Sequence, residues 1–506
     1  MDIINRLKEE IERMDTLPRK EDVGEVVEVK DGVLKIRGLL NAENQEVITI
    51  ENNGQEKKGL IVSVEEENVG AILFDNCENI KQGDIVRGTK KTLFVPVGEE
   101  FLGRVINAIG KPIDGKEKIN AQDFYPAEKI APSVMEREPI STPLYTGIKI
   151  IDSLIPVGRG QRELFLGDRS VPKTDIALDV ILNQKNEQNR PICIYVEIGG
   201  REANLSQQIK FLKEKGALDY TIIVSASSSS PSSLRYLAPY TGMAMAEYFR
   251  DKGKDVLIIF DNLTNHAFSW REISLILRRP PGREAYPGDI FYLHSRLLER
   301  AGRFSEKWNN GSITALPIIE TLEGNISAYI PTNVISICDG QIYFDNNLYL
   351  KGDRPGINIG LSVSRVGSSA QTKAMKRVSG NLKLELAQFR ELENFLQFVD
   401  EVDPETKEKI EKGRILVKAL SQKEHEPLSF EKQTVIIFAA VKGLLSKLKT
   451  ENDVRKFERD FYYEIEQKNP GIFRDIKEKK ELSPGNEAEL EVIIKNILER
   501  HELSEN

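Results

Sequence analysis

Residues 163–182 confine this chain to a narrow set of folds. Glu163-Leu164-Phe165-Leu166 is a short apolar run of strand type, Gly167-Asp168-Arg169-Ser170-Val171-Pro172-Lys173-Thr174 follows as a loop, and Asp175 to Leu182 carries apolar residues at helical spacing. Strand, loop and helix ending the loop on Lys-Thr form the frame in which backbone N–H groups curl around phosphate oxygens. In that frame a lysine reaches the terminal phosphates and a hydroxyl holds Mg²⁺. The pattern G-x-x-x-x-G-K-[ST] asks for glycine at its sixth place, and Pro172 stands there. Proline has no N–H, locks φ at about −65° and pushes the preceding Val171 away from the α region, where glycine would have taken positive φ freely. The sequence therefore predicts a nucleotide-binding fold whose own loop is impaired. A second apolar run, Val256-Leu257-Ile258-Ile259-Phe260, ends in Asp261. Beside Lys173 and Thr174 it is a candidate for the magnesium shell, with Thr174 as the other metal-side group; a plain strand-terminal turn residue is the alternative.

Length and charge set the outer limits. The chain has 506 residues, enough for about three domains with substantial cores, and its 40% apolar and 30% charged residues are those of an ordinary globular protein. A net charge of −8 argues against nucleic acid as the main partner. Only Cys77, Cys193 and Cys338 occur, far apart and odd in number, which indicates neither a disulfide framework nor a zinc site and fits a reducing cytoplasm. There is no apolar run of about 18 residues and no signal-peptide pattern, so direct membrane insertion is not expected and any membrane link runs through partners.

The pattern changes three times along the chain. Ile4, Leu7, Ile11 and Met14 make residues 2–15 an amphipathic helix ahead of Pro18, within an N-terminal segment 1–21. Residues 22–92 alternate in strand fashion: Val27 and Val29, the turn Asp31-Gly32, then Leu34 and Ile36, with more turns at Asn52-Asn53-Gly54 and Gln82-Gly83-Asp84. Several short strands in about 70 residues imply a small β-barrel. Residues 93–370 place short apolar strands at Ile192–Val196, Thr221–Ser225, Val256–Phe260 and Val334–Ile337 between helical stretches, the signature of a mostly parallel sheet. From 371 to 506 the period is helical, as in Leu382, Leu386, Phe389, Leu392 and Phe395, with breaks at Pro404, Pro427, Pro470 and Pro484. The expected fold is multidomain α/β: an N-terminal β-barrel, a central RecA-like P-loop domain with a parallel sheet, and a C-terminal helical bundle. There is no internal repeat, and the Lys- and Glu-rich tail reads as solvated helix.

Barrel, P-loop sheet and helical bundle in this order is the plan of the F1 and V1 rotary ATPase subunits, and particular segments narrow it. Val95-Pro96-Val97-Gly98-Glu99, Leu102-Gly103-Arg104-Val105, Pro112-Ile113-Asp114-Gly115, Thr146-Gly147-Ile148-Lys149, and the stretches 156–162, 277–289 and 291–300 resemble the F1 α subunit rather than β. The resemblance implies a ring of three α-like and three β-like chains around a γ-like central shaft, with catalytic sites mostly on β and one group lent across the boundary by α. A peripheral stalk reached through the N-terminus is a further implied partner, and the implied location is cytoplasmic, peripheral to the membrane through other subunits. The segment Leu361-Ser362-Val363-Ser364-Arg365-Val366-Gly367 matches the family motif that carries the lent group, which makes Arg365 the candidate arginine finger in trans. Ser336 matches another interface position, with a buried strand hydroxyl as the alternative.

Two departures from the family pattern bear on this chain's own site. Where β has the carboxylate that positions water and α has Gln, Tyr195-Val196-Glu197-Ile198-Gly199-Gly200-Arg201 places Gly200, and Glu197 and Glu202 lie out of register by three and two residues. With Pro172, this implies no hydrolysis at the chain's own loop. For binding, the resemblance implies Gly167 to Thr174, with Arg354, Pro355 and Gln422 around the base, holding Mg-ATP or Mg-ADP. Against it stand Pro172, Ser170 for the family's Gln, Asn262 after Asp261, and Glu424 for a second Gln, so the sequence leaves occupancy of this site open. Two other classes compete with the α-type reading: a self-sufficient hexameric ATPase of secretion or Rho-like type, and a structural scaffold. Within the α-type reading, the altered loop favours a specialised F1-like motor at the membrane or cell surface over proton-coupled ATP synthesis.

Overall fold

The computed structural model describes residues 22–52, 55–74, 79–395 and 403–505. The helix expected over 2–15, the turn at Asn53-Gly54, Cys77 and the last residue lie outside them. Contacts divide the protein into a barrel unit and a larger unit that holds the central sheet and the C-terminal helices.

The barrel closes through six strands, β1 (Val23–Lys30), β2 (Val33–Gly38), β3 (Glu46–Asn52), β4 (Gln55–Val64), β5 (Asn68–Leu73) and β6 (Ile85–Thr92), in the order β1-β2-β5-β4-β3-β6. Asp31 and Gly32 both take positive φ, 48° and 79°, the twist a two-residue hairpin needs. Inside lie Val26, Leu34, Ile36, Ile48, Ile50, Ile61, Val69 and Val86. One expectation is corrected here. Val26 rather than Val27 faces the core, because the β1–β2 register shifts between Val26 and Glu28 and reverses the facing along that strand.

The central sheet has nine strands. In sequence order they are β7 (Val105–Asn107), β8 (Leu164–Asp168), β9 (Ile192–Ile198), β10 (Thr221–Ala226), β11 (Asp255–Asp261), β12 (Gly302–Arg303), β13 (Ser312–Thr321), β14 (Gly340–Phe344) and β15 (Val363–Ser364). Their spatial order is β15-β14-β8-β13-β11-β9-β10-β7, with β12 beside β13. All pairs are parallel except β14–β15 and β12–β13. The strands β8 to β11 and β13 are buried along nearly their whole length, as parallel strands covered on both faces are. Helices α1 (Lys173–Asn183) and α2 (Glu202–Glu214) follow β8 and β9. The strand expected at Val334–Ile337 is not one: these residues form the last turns of helix α3 (Tyr329–Ile337), whose buried side Ile330, Val334 and Ile337 has helical spacing.

Beyond the sheet come α4 (Lys373–Ser379), α5 (Leu382–Phe395), α6 (Pro404–Leu420), α7 (Phe430–Val441), α8 (Glu451–Lys468), α9 (Gly471–Lys479) and α10 (Pro484–Glu505). Three of the four expected breaks are helix starts. Pro404 sits in the first turn of α6 behind the Asp403 cap, Pro484 begins α10, and Pro470 precedes α9. Leu382, Leu386 and Phe389 of α5 are buried, and Phe389 explains a glycine inside α6: a Cβ at Gly413 would stand 2.3 Å from its ring. No helix among the described residues is long and apolar enough to cross a membrane. Cys193 and Cys338 are free and buried, and burial pushes both thiols well up.

Candidate nucleotide site and interface arginine

Strand register brings the chemistry to one edge. Strands β8, β13, β11 and β9 are parallel neighbours in which Gly167 pairs with Glu320, Asp168 with Thr321, and Glu197 with Asp261, so β8 and β13 end together and β9 and β11 end together about three residues earlier along β13, all with their carboxyl ends on the same edge. Ligands of open parallel sheets gather beyond such ends. A cavity of about 200 Å³ opens there, lined by Arg169, Thr174, Glu197, Gly200, Asp261 and Glu320 among others.

The loop from Gly167 to Thr174 is tied down by its own groups. Gly167 is needed for sheet packing, since a Cβ there would meet the Phe344 carbonyl oxygen at 2.5 Å. Asp168 Oδ1 accepts from the Thr321 hydroxyl at 2.6 Å and the Gly324 N–H at 2.9 Å, while the exposed Ser170 hydroxyl donates to Asn346 Oδ1 at 3.0 Å. Val171 is buried, and its N–H turns back toward the Asp168 carbonyl at 3.4 Å. Pro172, at φ −80° and ψ 51°, bends the backbone so that the Lys173 N–H donates to the Val171 carbonyl at 2.9 Å. The Lys173 ammonium donates to the Asp168 carbonyl, and burial pulls it down to about 8 against the attraction of Glu320, Asp261 and Asp168.

At the metal end, the Thr174 hydroxyl donates to Asp261 Oδ2 at 2.6 Å and the Tyr195 hydroxyl donates to the same oxygen at 2.8 Å. Burial still raises the Asp261 carboxyl above its usual range. Lys173, Thr174 and Asp261 are thus the side chains a Mg-nucleotide would need, brought together. The backbone does not match them. One cradle donor is missing at Pro172, and those of Val171 and Lys173 are directed at the loop's own carbonyls. As it stands the loop does not fit a polyphosphate.

Counting along the sequence separates Glu197 from Gly200 by three residues, yet the structure joins the two. Gly199 takes φ 69°, and the backbone turns back so that a Cβ at Gly200 would stand 2.2 Å from Glu197 Oε1. The Glu197 carboxylate therefore fills the space a side chain at 200 would occupy. It is buried, its Oε2 accepts from the Ser225 hydroxyl at 2.7 Å, and burial raises it. Glu202 turns elsewhere, accepting from Ser227 and Ser229. Sequence reasoning also passes over Tyr195 and Glu320, which accepts from Asn262 Nδ2 at 3.2 Å. Glu320 carries a usable signal: it closes an apolar run, Ala315 to Ile319, as Asp261 closes its own.

Around the expected base position, the Arg354 guanidinium lies 3.9 Å from the centre of the Tyr349 ring and donates to the Tyr349 carbonyl at 2.5 Å. Pro355 is buried beside it. Gln422 stands next to them, its N–H donating to the Arg354 carbonyl at 3.2 Å, but its amide is spent on backbone. Nε2 donates to the carbonyls of Gly147 at 2.7 Å and Glu426 at 2.8 Å, and Oε1 accepts from the Lys149 N–H at 2.9 Å. Glu424 accepts from the Tyr349 hydroxyl at 3.2 Å.

Arg365 lies apart from this cavity, just past the edge strand β15. It is exposed, and its N–H donates to the Asp339 carbonyl at 2.8 Å. The Asp339 side chain is gripped by Arg162 through contacts of 3.0 and 2.8 Å. Among the described residues the Arg365 guanidinium has no hydrogen-bonding or ion-pair partner. Ser336 is exposed on α3 rather than buried in a strand, its hydroxyl donating to the Asn333 carbonyl at 2.7 Å.

Three family models match in sequence: the β-barrel domain of the ATP synthase alpha/beta family over residues 20–90, its nucleotide-binding domain over 147–364, and its C-terminal domain over 371–497. The protein belongs to the ATP synthase alpha/beta family. Within it the likeness is to F1-type α subunits. The sequence is 49% identical over 504 residues to "ATP synthase subunit alpha" of Rickettsia bellii, covering 98% of each protein. It is 51% identical over 478 residues to the protein of the same name from Petrotoga mobilis, covering 94% of each. Identity at this level spans the barrel, the sheet and the helices alike.

Proposed function

We propose that this protein is the non-catalytic α-type subunit of an F1-like rotary ATPase, alternating with a β-type catalytic subunit in a 3:3 ring around a γ-like shaft, and that it supplies Arg365 in trans. The observation that carries the reading is the state of Arg365: an exposed guanidinium on a backbone-anchored edge segment, outside the protein's own cavity and, among the described residues, in no hydrogen bond or ion pair. A structural arginine would be satisfied within its own subunit. A finger has to reach charge that another subunit presents.

Its task would be to stabilise charge on the transferring γ-phosphoryl group held by the neighbour, an effect worth about 10³ to 10⁵ in rate, or about 4 to 7 kcal/mol of barrier. The planar guanidinium suits this better than an ammonium, because its fork can meet two oxygens at once. Ser336, exposed on α3, is proposed as a second interface residue. In the reconstituted ring, Arg365→Ala is expected to cut turnover by at least about 10³ with the ring intact, and Arg365→Lys to recover little of it. Undiminished turnover in Arg365→Ala would leave the protein only a scaffold role.

For the output of the ring, the altered loop favours a specialised F1-like motor, peripheral to the membrane through its partners, over the proton-driven synthase. The deciding measurement is which proteins co-purify with the ring; a proton-translocating membrane ring among them would overturn the specialised reading and leave the Arg365 assignment standing.

A further inference from the structure

We propose that the loop Gly167–Thr174 is self-closed and takes no nucleotide, so that a ring built on this subunit holds three nucleotides, all on the partner subunits, rather than six. The closure of the loop does not depend on the Arg365 reading, whereas the count per ring rests on the proposed 3:3 ring.

The groups that would face a polyphosphate are already engaged with one another. Pro172 offers no N–H. The Lys173 N–H is held by the Val171 carbonyl at 2.9 Å, an arrangement that the proline's fixed φ supports, and the Val171 N–H points to the Asp168 carbonyl at 3.4 Å. Three consecutive donors are therefore withdrawn from the place where phosphate oxygens would lie. The side chains repeat the pattern: Lys173 is held on the Asp168 carbonyl, Ser170 is tied to Asn346, and Thr174 is closed onto Asp261 together with Tyr195. Asp261, Glu197 and Glu320 line the same cavity, with Arg169 and Arg201 among its other lining residues. The positive charge a phosphate would need on Lys173 is thus already answered internally, by the Asp168 carbonyl and the carboxylates of Glu320, Asp261 and Asp168.

Opening the loop would mean freeing two N–H groups and supplying a third, each a hydrogen bond to a charged oxygen worth about a factor of ten or more. Pro172→Gly does this with one substitution, because glycine brings back the N–H and the positive φ.

The test measures Mg-ADP binding to the purified full-length protein by equilibrium dialysis, alongside thermal shift, for wild type and Pro172→Gly. It also counts the nucleotides retained by the reconstituted ring after gel filtration. Wild type is expected to bind no Mg-ADP up to millimolar concentration and to show no thermal shift, with three nucleotides per wild-type ring. Pro172→Gly is expected to gain affinity by about 10³-fold. Micromolar binding by the wild-type protein, or six nucleotides per wild-type ring, would overturn the proposal. So would a folded Pro172→Gly protein that stays as inert as wild type, since the loss would then not lie in the loop. Ring turnover in Arg365→Ala is read separately, so failure of either reading is recognisable from the other.

Discussion

Gly200→Ala is the sharpest probe of how Glu197 and Gly200 share this site. The added methyl would stand 2.2 Å from Glu197 Oε1 and 3.1 Å from its carboxyl carbon, both well inside contact distance. The carboxylate is the end of a flexible side chain, but Glu197 is only 4% exposed and its other oxygen is held by Ser225 at 2.7 Å. Swinging it aside gives up that hydrogen bond, about 1.5 to 3 kcal/mol where one partner is charged, and moving the backbone instead costs about 1 to 3 kcal/mol. The expected destabilisation is therefore about 2 kcal/mol. In the Glu197→Ala background the obstruction is gone, and the same methyl should cost less than about 1 kcal/mol. The assay is urea unfolding followed by tryptophan fluorescence. The two tryptophans, Trp270 and Trp308, both lie in the unit that holds the central sheet, so they report on the domain being strained. The four proteins form a double-mutant cycle with an expected coupling of more than about 1 kcal/mol. Additivity within about 0.5 kcal/mol would refute the claim that Glu197 and Gly200 share one space.

Two further outcomes follow from buried charge. His294 is fully buried, and burial pushes its imidazole down to about 4; the unfolded protein takes up that proton near 6.5, so stability is lost as pH falls from about 6.5 to 4, by about 3 kcal/mol in all. Asp152 and Asp179, raised to about 6 by burial, act with the opposite sign as pH falls from about 6 toward 3.8, so the readout is the difference in pH dependence between wild type and His294→Gln, and parallel curves would refute it. Lys149 is buried with Nζ 3.2 Å from both oxygens of Glu458 on α8. Glu458→Ala strands an ammonium in the interior and should cost about 3 to 5 kcal/mol, whereas Lys149→Met should cost much less, because Glu458 keeps the Tyr462 hydroxyl at 2.7 Å. Equal losses in chemical denaturation followed by circular dichroism would contradict this.

Four of the nine strands of the central sheet, β8, β9, β10 and β11, were legible because they are buried apolar runs bounded by polar turns, and the loop was legible because its residue types are unusual together. What escaped is local geometry that composition does not encode. Val334-Ile335-Ser336-Ile337 is short, β-branched and apolar, and four residues cannot separate period 2 from period 3.6. Only with Tyr329 and Ile330 included does the helical spacing emerge, with Pro331 in the first turn, where proline costs no hydrogen bond. In β1 a bulge moved the core face from Val27 to Val26, and one extra residue in a strand leaves no compositional mark.

Glu197 escaped for a different reason: counting along the sequence treats residues 197 and 200 as separate places. At the end of a parallel strand the backbone reverses, here through positive φ at Gly199, and a side chain three residues back can fill a glycine's empty side. Glycine at 200 and glutamate at 197 therefore form one feature, and Pro172 with its two diverted N–H groups forms another, both at the carboxyl edge of β8, β11 and β9. Arg365 depends on neither. Its backbone hangs from Asp339, Asp339 is held by Arg162, and neither lines the altered cavity. The sheet order places the β15 edge on the far side of β14 from the loop strand. The loop and Arg365 thus rest on separate supports, which is the physical condition that the proposed division of labour, a closed loop beside an arginine lent in trans, requires.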